Sequence, residues 1–132
     1  GIGDTIRVSL SGDPVEEVIA GREILASLGL TREGVAVIAC PTCGRTTYDV
    51  SGIAALVEEK TRRIKAPLKV AVMGCAVNGP GEARDADIGI AGGKGQTVLF
   101  VKGKPVRSIP GEQAVDELMK LISEMTGETG AE

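Results

Sequence analysis

Two short apolar runs, Val35 to Ala39 and Leu68 to Gly74, each lead directly into a cysteine, Cys40 and Cys75, with one amphipathic segment between them. Runs of this length rich in small aliphatic residues are the signature of strands buried on both faces. The intervening segment is expected to open as a helix at Thr46, three residues before Asp49, and to run to about Lys65 before Pro67 breaks it. Val50, Ile53, Ala54, Leu56, Val57 and Ile64 recur along it at helical spacing. A strand, a helix and a strand joined by short connections form a right-handed βαβ unit, so the two strands run parallel. Their C-terminal ends then share one sheet edge, which in open α/β sheets is where ligands bind. Cys40, Cys43 and Cys75 are therefore expected to converge there, although they are distant in sequence.

These are the chain's only cysteines, and Cys40-Pro41-Thr42-Cys43 has the Cys-x-x-Cys spacing that lets two sulfurs hold one metal or one face of a cluster. The plainer alternative is a turn that happens to carry two cysteines, with Cys75 a small buried hydrophobe. An odd number of cysteines and no secretory layout at the start argue against a disulfide framework and toward metal or redox use. Histidine is absent, which excludes imidazole-ligated haem, a Rieske cluster and a Ser-His-Asp triad. A net charge of -3 and an aromatic content of 2% argue against a nucleic-acid surface. No apolar run reaches the roughly 18 residues of a membrane span. A soluble, cytoplasmic protein is expected.

The remaining residues read as scaffold. Thr5 to Leu10 alternates as a strand, and Asp13, Pro14 and Glu16 form a helix start with capping-box spacing. The helix presents Val15, Val18, Ile19, Ala20, Ile24, Leu25 and Leu28 inward and stops near Gly29. No partner strand precedes it, which suggests a piece cut from a longer polypeptide. Gly79-Pro80-Gly81 is expected to form a turn that swings Glu82 back toward Cys75, the alternative being a solvated turn carboxylate. Asp87 to Ala91 reads as a strand and Gly92 to Gly95 as a loop. Thr97 to Val101 and Val106 to Ile109 form a hairpin around Lys102 to Pro105, and a last helix runs from about Glu112 to Met125, with Val115, Leu118, Met119, Ile122 and Met125 inward. The fold class is α/β: a mixed, roughly five-stranded sheet with a βαβ unit and flanking helices.

Three segments carry a family resemblance: Gly3-Asp4-Thr5-Ile6-Arg7-Val8-Ser9-Leu10, Ala39-Cys40-Pro41-Thr42-Cys43-Gly44-Arg45, and Gly74-Cys75-Ala76-Val77-Asn78-Gly79-Pro80-Gly81-Glu82-Ala83. In order and spacing they closely resemble the C-terminal part of the 4-hydroxy-3-methylbut-2-enyl diphosphate synthase family, of the methylerythritol phosphate route to isoprenoids. The resemblance implies a 4Fe-4S cluster held by Cys40, Cys43, Cys75 and Glu82, with Glu82 at the catalytic position. It implies reductive opening of 2-C-methyl-D-erythritol 2,4-cyclodiphosphate, with flavodoxin or ferredoxin as electron donor and a homodimer as the working form. Arg7 and Ser9 match diphosphate-binding residues, and Asn78 is a further substrate-binding candidate. From the residues alone, Arg7 reads as an exposed strand arginine.

The resemblance also divides the chain into residues 1–30, the last strand and helix of a truncated (β/α)8 barrel, and residues 31–132, a cluster domain similar to the sulfite and nitrite reductase fold. Such a chain alone is expected to bind a cluster and turn over no substrate. Two other readings fit the spacing: a structural zinc module with Cys3Glu ligation, and a dithiol oxidoreductase using Cys40 and Cys43.

Overall fold

A computed structural model describes residues 2–31, 34–46, 48–92 and 95–130. The chain divides into two units, Gly1–Glu33 and Gly34–Glu132.

In the first unit, helix α1 spans Pro14–Ser27. Its start follows the expected chemistry: Asp13 accepts the Val15 N–H at 2.9 Å, and Pro14 takes the first helical position, where a missing N–H costs nothing. Glu16 forms no reciprocal box; its N–H instead donates to the Asp13 carbonyl. Gly29 ends the helix at φ +68°, a conformation that costs glycine little. Residues 5–10 form no strand, contrary to expectation. Alternation can mark a face, but a strand also needs a ladder partner, and the Leu10 N–H donates instead to the Glu17 carboxylate at 3.0 Å. Val15, Val18, Ile24 and Leu28 are exposed rather than inward, and Gly21 is the only buried residue of α1.

The second unit is built on one five-stranded sheet. Its strands are β1 (Val35–Ala39), β2 (Leu68–Met73), β3 (Ile88–Gly92), β4 (Gln96–Val101) and β5 (Lys104–Pro110), in that spatial order. The first three run parallel, and β4 and β5 are antiparallel additions. Between β4 and β5, Lys102 and Gly103 both have positive φ, the geometry of a two-residue turn whose twist matches the strands. The hairpin is therefore tighter than its turn residues suggested.

Helices α2 (Val50–Thr61) and α4 (Ala114–Thr126) cover one face. Val50, Ala54, Val57, Leu118 and Ile122 pack there on Val70, Val72, Ile88, Ile90 and Leu99. Each large side chain removed from water this way contributes about 1.5–3 kcal/mol. Leu56 and Met125, expected inward, are exposed because they fall outside the covered stripe. On the other face, the short helix α3 (Gly79–Glu82) and the residues after it bring Ala83 and Ala86 onto Ala71, Met73, Ala91 and Phe100.

Strand β1 departs from expectation. It is the sheet's edge, and Ala36, Ile38 and Ala39 are exposed. An all-apolar run does not reveal whether a helix covers both faces. Here α2 covers Val35 and Val37, whereas α3 lies over β3 and β5, and Ala36 and Ile38 on the opposite side of β1 stay exposed, as does Ala39 at the strand's end.

Candidate metal centre

The pairing of β1 with β2 puts Ala39 opposite Val72, and the Cys40 N–H extends the ladder by donating to the Val72 carbonyl at 3.0 Å. Cys75 follows the end of β2 after Gly74 alone. Two remote segments thus deliver their cysteines to the C-terminal edge of adjacent parallel strands, as the βαβ reading requires. All three thiols are free; Cys40 and Cys75 are half-buried and Cys43 is exposed. Thr42 sits between the paired cysteines at φ +60°, an uncommon conformation for a β-branched residue.

The connection from Cys40 to α2 is pinned by two side chains. Thr46 closes a small ring with Cys43: its hydroxyl accepts the Cys43 N–H at 3.1 Å, and its own N–H donates to the Cys43 carbonyl at 2.9 Å. The same side chain lies over Gly74, where a Cβ would come within 2.6 Å of the Thr46 hydroxyl oxygen. Tyr48 donates its phenol to the Met73 carbonyl at 2.7 Å, and its ring occupies the space a side chain on Gly92 would need. Burial pushes the Tyr48 pKa up to about 12, the charge of Cys40 adding to it and a backbone hydrogen bond at Gly92 opposing it. The residue is therefore a neutral donor at any physiological pH.

This pinning also corrects the start of α2. The Thr46 hydroxyl is engaged with Cys43, and Asp49 caps the helix by accepting the Gly52 N–H at 3.0 Å. Thr46 and Tyr48 escaped the sequence reading as site residues. The available signal was Tyr48 itself, the only tyrosine in a chain almost without aromatics, five residues after Cys43.

After Cys75 the chain coils instead of turning back. The Gly79 N–H donates to the Cys75 carbonyl at 3.0 Å and the Glu82 N–H to the Asn78 carbonyl at 2.9 Å. Gly79-Pro80-Gly81 is thus helical, because a proline in the first turn and the bare Gly79, close against Met73 and Ala91, let the helix settle on the sheet. Glu82 closes this helix with an exposed side chain, and Asn78 is half-buried just before it.

Among the described residues, no three cysteine or carboxylate side chains stand close enough to hold one metal ion. The three thiols are unpaired as disulfides, and by residue type they are soft donors. Arg7 and Ser9 belong to the first unit, where both are exposed. No helix among the described residues is long and apolar enough to cross a membrane.

Fold and site together define an α/β domain whose first two parallel strands lead into Cys40 and, after Gly74, into Cys75, with all three thiols of the chain free. Residues 36–124 match the family described as GcpE protein C-terminal domain, and the chain belongs to that family. Among similar curated proteins, 4-hydroxy-3-methylbut-2-en-1-yl diphosphate synthase (flavodoxin) of Caldanaerobacter subterraneus subsp. tengcongensis is 62% identical over 128 residues, covering 97% of this chain and 36% of that protein. Proteins of the same name from Ruminiclostridium cellulolyticum and Clostridium perfringens are 58% and 59% identical, covering 95% and 92% of this chain and 35% of each relative. The chain thus spans about a third of the length of the curated relatives it matches.

Proposed function

We propose that this chain is the iron–sulfur part of an oxidoreductase that opens 2-C-methyl-D-erythritol 2,4-cyclodiphosphate reductively to 4-hydroxy-3-methylbut-2-enyl diphosphate, with flavodoxin or ferredoxin as electron donor. The observation that carries the reading is the delivery of Cys40 and Cys75 to neighbouring positions at one sheet edge, with Cys43 on the loop between β1 and α2. The names of the relatives supply the reaction class. Cys40, Cys43, Cys75 and Glu82 would hold the 4Fe-4S cluster. When bound, such a cluster supplies electrons and one Lewis-acidic iron at the leaving oxygen of the substrate. Glu82 is the hard oxygen donor of the four and so the ligand that exchanges most readily.

Within this reading residues 1–30, which carry helix α1 and, among the described residues, no strand, are the end of a barrel, and residues 31–132 the cluster domain of a cytoplasmic, homodimeric enzyme. Arg7 offers a planar fork and Ser9 a hydroxyl to diphosphate oxygens, and Asn78 an amide to the substrate.

The test is an iron and sulfide count after anaerobic reconstitution. A brown protein with about four of each per chain is expected. Cys75→Ser should lose the cluster, and Glu82→Ala should retain colour but release iron faster. A colourless protein with a single zinc would replace this reading with a structural metal module. Dithiol exchange activity that survives Cys75→Ser would replace it with a Cys40–Cys43 oxidoreductase.

A further inference from the structure

Among its described residues, the segment between β1 and α2 has no helix or strand of its own, yet it carries two of the three thiols, one of them exposed. Ten positions, Cys40 to Asp49, would ordinarily sample many conformations, and gathering loosely held ligands around a metal costs ordering entropy with each loading. Two side chains oppose that freedom. Thr46 ties back to the Cys43 amide and sits against Gly74, the residue immediately before Cys75. Tyr48, two residues on, bonds the last carbonyl of β2 and lays its ring on Gly92 at the end of β3. Both glycines lie where a Cβ would occupy the space that these side chains fill.

We propose that Thr46 and Tyr48 are positioning residues that clamp the Cys40–Cys43 loop onto the ends of β2 and β3, so that metal capture and retention require little reordering of that loop. The inference rests on the cysteines being ligands, but the clamp belongs to the protein itself and can be read without metal. Thr46 governs Cys43 through one amide bond. Tyr48 governs the loop through its hydrogen bond to the Met73 carbonyl at the end of β2.

The test uses the full chain as wild type and as Thr46→Ala, Thr46→Ser and Tyr48→Phe, the last keeping the ring and removing only the hydroxyl. Amide hydrogen exchange across residues 40–49 is measured on the metal-free protein, together with the denaturant midpoint. Iron release to a ferrous chelator is then followed on anaerobically reconstituted protein. Losing one such bond corresponds to an opening equilibrium shifted by up to about tenfold. Thr46→Ala and Tyr48→Phe are expected to exchange up to about tenfold faster in the loop and to release iron correspondingly faster, with the absorption spectrum broadened and helix and core exchange unchanged. Thr46→Ser should restore wild-type values, which loss of packing alone would not allow. Exchange and release at wild-type rates in both variants would overturn the clamp. Should the wild-type chain take up no iron, the ligand assignment falls and the exchange measurement alone decides the clamp. Should Tyr48→Phe fail to fold, the Thr46 pair decides it.

Discussion

Thr42 is held at φ +60° between Cys40 and Cys43, where a β-branched side chain crowds its own backbone. Such a conformation costs of order 1–3 kcal/mol, whereas a glycine there would carry its usual entropic penalty of about 0.5–1 kcal/mol instead. Thr42→Gly is therefore expected to leave stability unchanged or raise it by about 1 kcal/mol in urea denaturation. A clear loss would show that the loop is relaxed in solution. Gly92 reverses the logic. Any side chain there must displace the Tyr48 ring, so Gly92→Ala is expected to cost about 1–3 kcal/mol by overpacking and to free the Tyr48 phenol from the Met73 carbonyl. Tyrosine absorbance in alkaline titration reports the second effect: the pKa of about 12 should fall toward 10 as burial is lost. Spacing marked the three cysteines as candidates while leaving a plain turn and a buried Cys75 as the alternative. Thr46 and Tyr48 were not marked as site residues, because their roles depend on which glycines the fold brings beneath them.

At the scale of elements, helix ends and long-range staples carry the argument. Asp49 takes the cap that the sequence pattern assigned to Thr46, so Asp49→Ala should lower stability by about 1 kcal/mol through fraying of α2. Both residues stood as polar groups ahead of an apolar stripe, and only tertiary contacts assigned one to the helix and the other to the loop. Glu128, just beyond α4, accepts the N–H groups of Lys65 at 2.8 Å and Ala66 at 3.1 Å, stapling the tail to the connection before β2. A carboxylate between two otherwise unpartnered amides makes hydrogen bonds worth about 1.5–3 kcal/mol each. Glu128→Ala is expected to cost at least about 2 kcal/mol in thermal or denaturant melts and Glu128→Gln less, since the amide keeps one acceptor oxygen. The five strands and the three longer helices followed from periodicity, though the same alternation also promised a strand at residues 5–10; the exposed side of β1 did not follow, because an aliphatic run is the same at the edge of a sheet as in its centre.

For the whole molecule, every buried large hydrophobic residue of the core among the described residues lies between Val50 and Ile122. Because the chain spans about a third of its relatives, turnover of the cyclic diphosphate is expected only from a form that also contains the remaining two-thirds. A comparable rate from these 132 residues would refute the assignment of the reaction to the longer enzyme. By itself the sequence determined the βαβ core, the edge at which its cysteines emerge, and the donor chemistry available there, since strand period, crossover handedness and thiol softness are local or general properties. The tertiary structure decided that β1 is an edge, that Gly79-Pro80-Gly81 coils rather than turns, and that Glu82 ends exposed on a short helix. It also decided that the cysteine loop is clamped by Thr46 and Tyr48. Each of these depends on which surfaces meet across the sheet, and such meetings are set by packing among residues far apart in the chain.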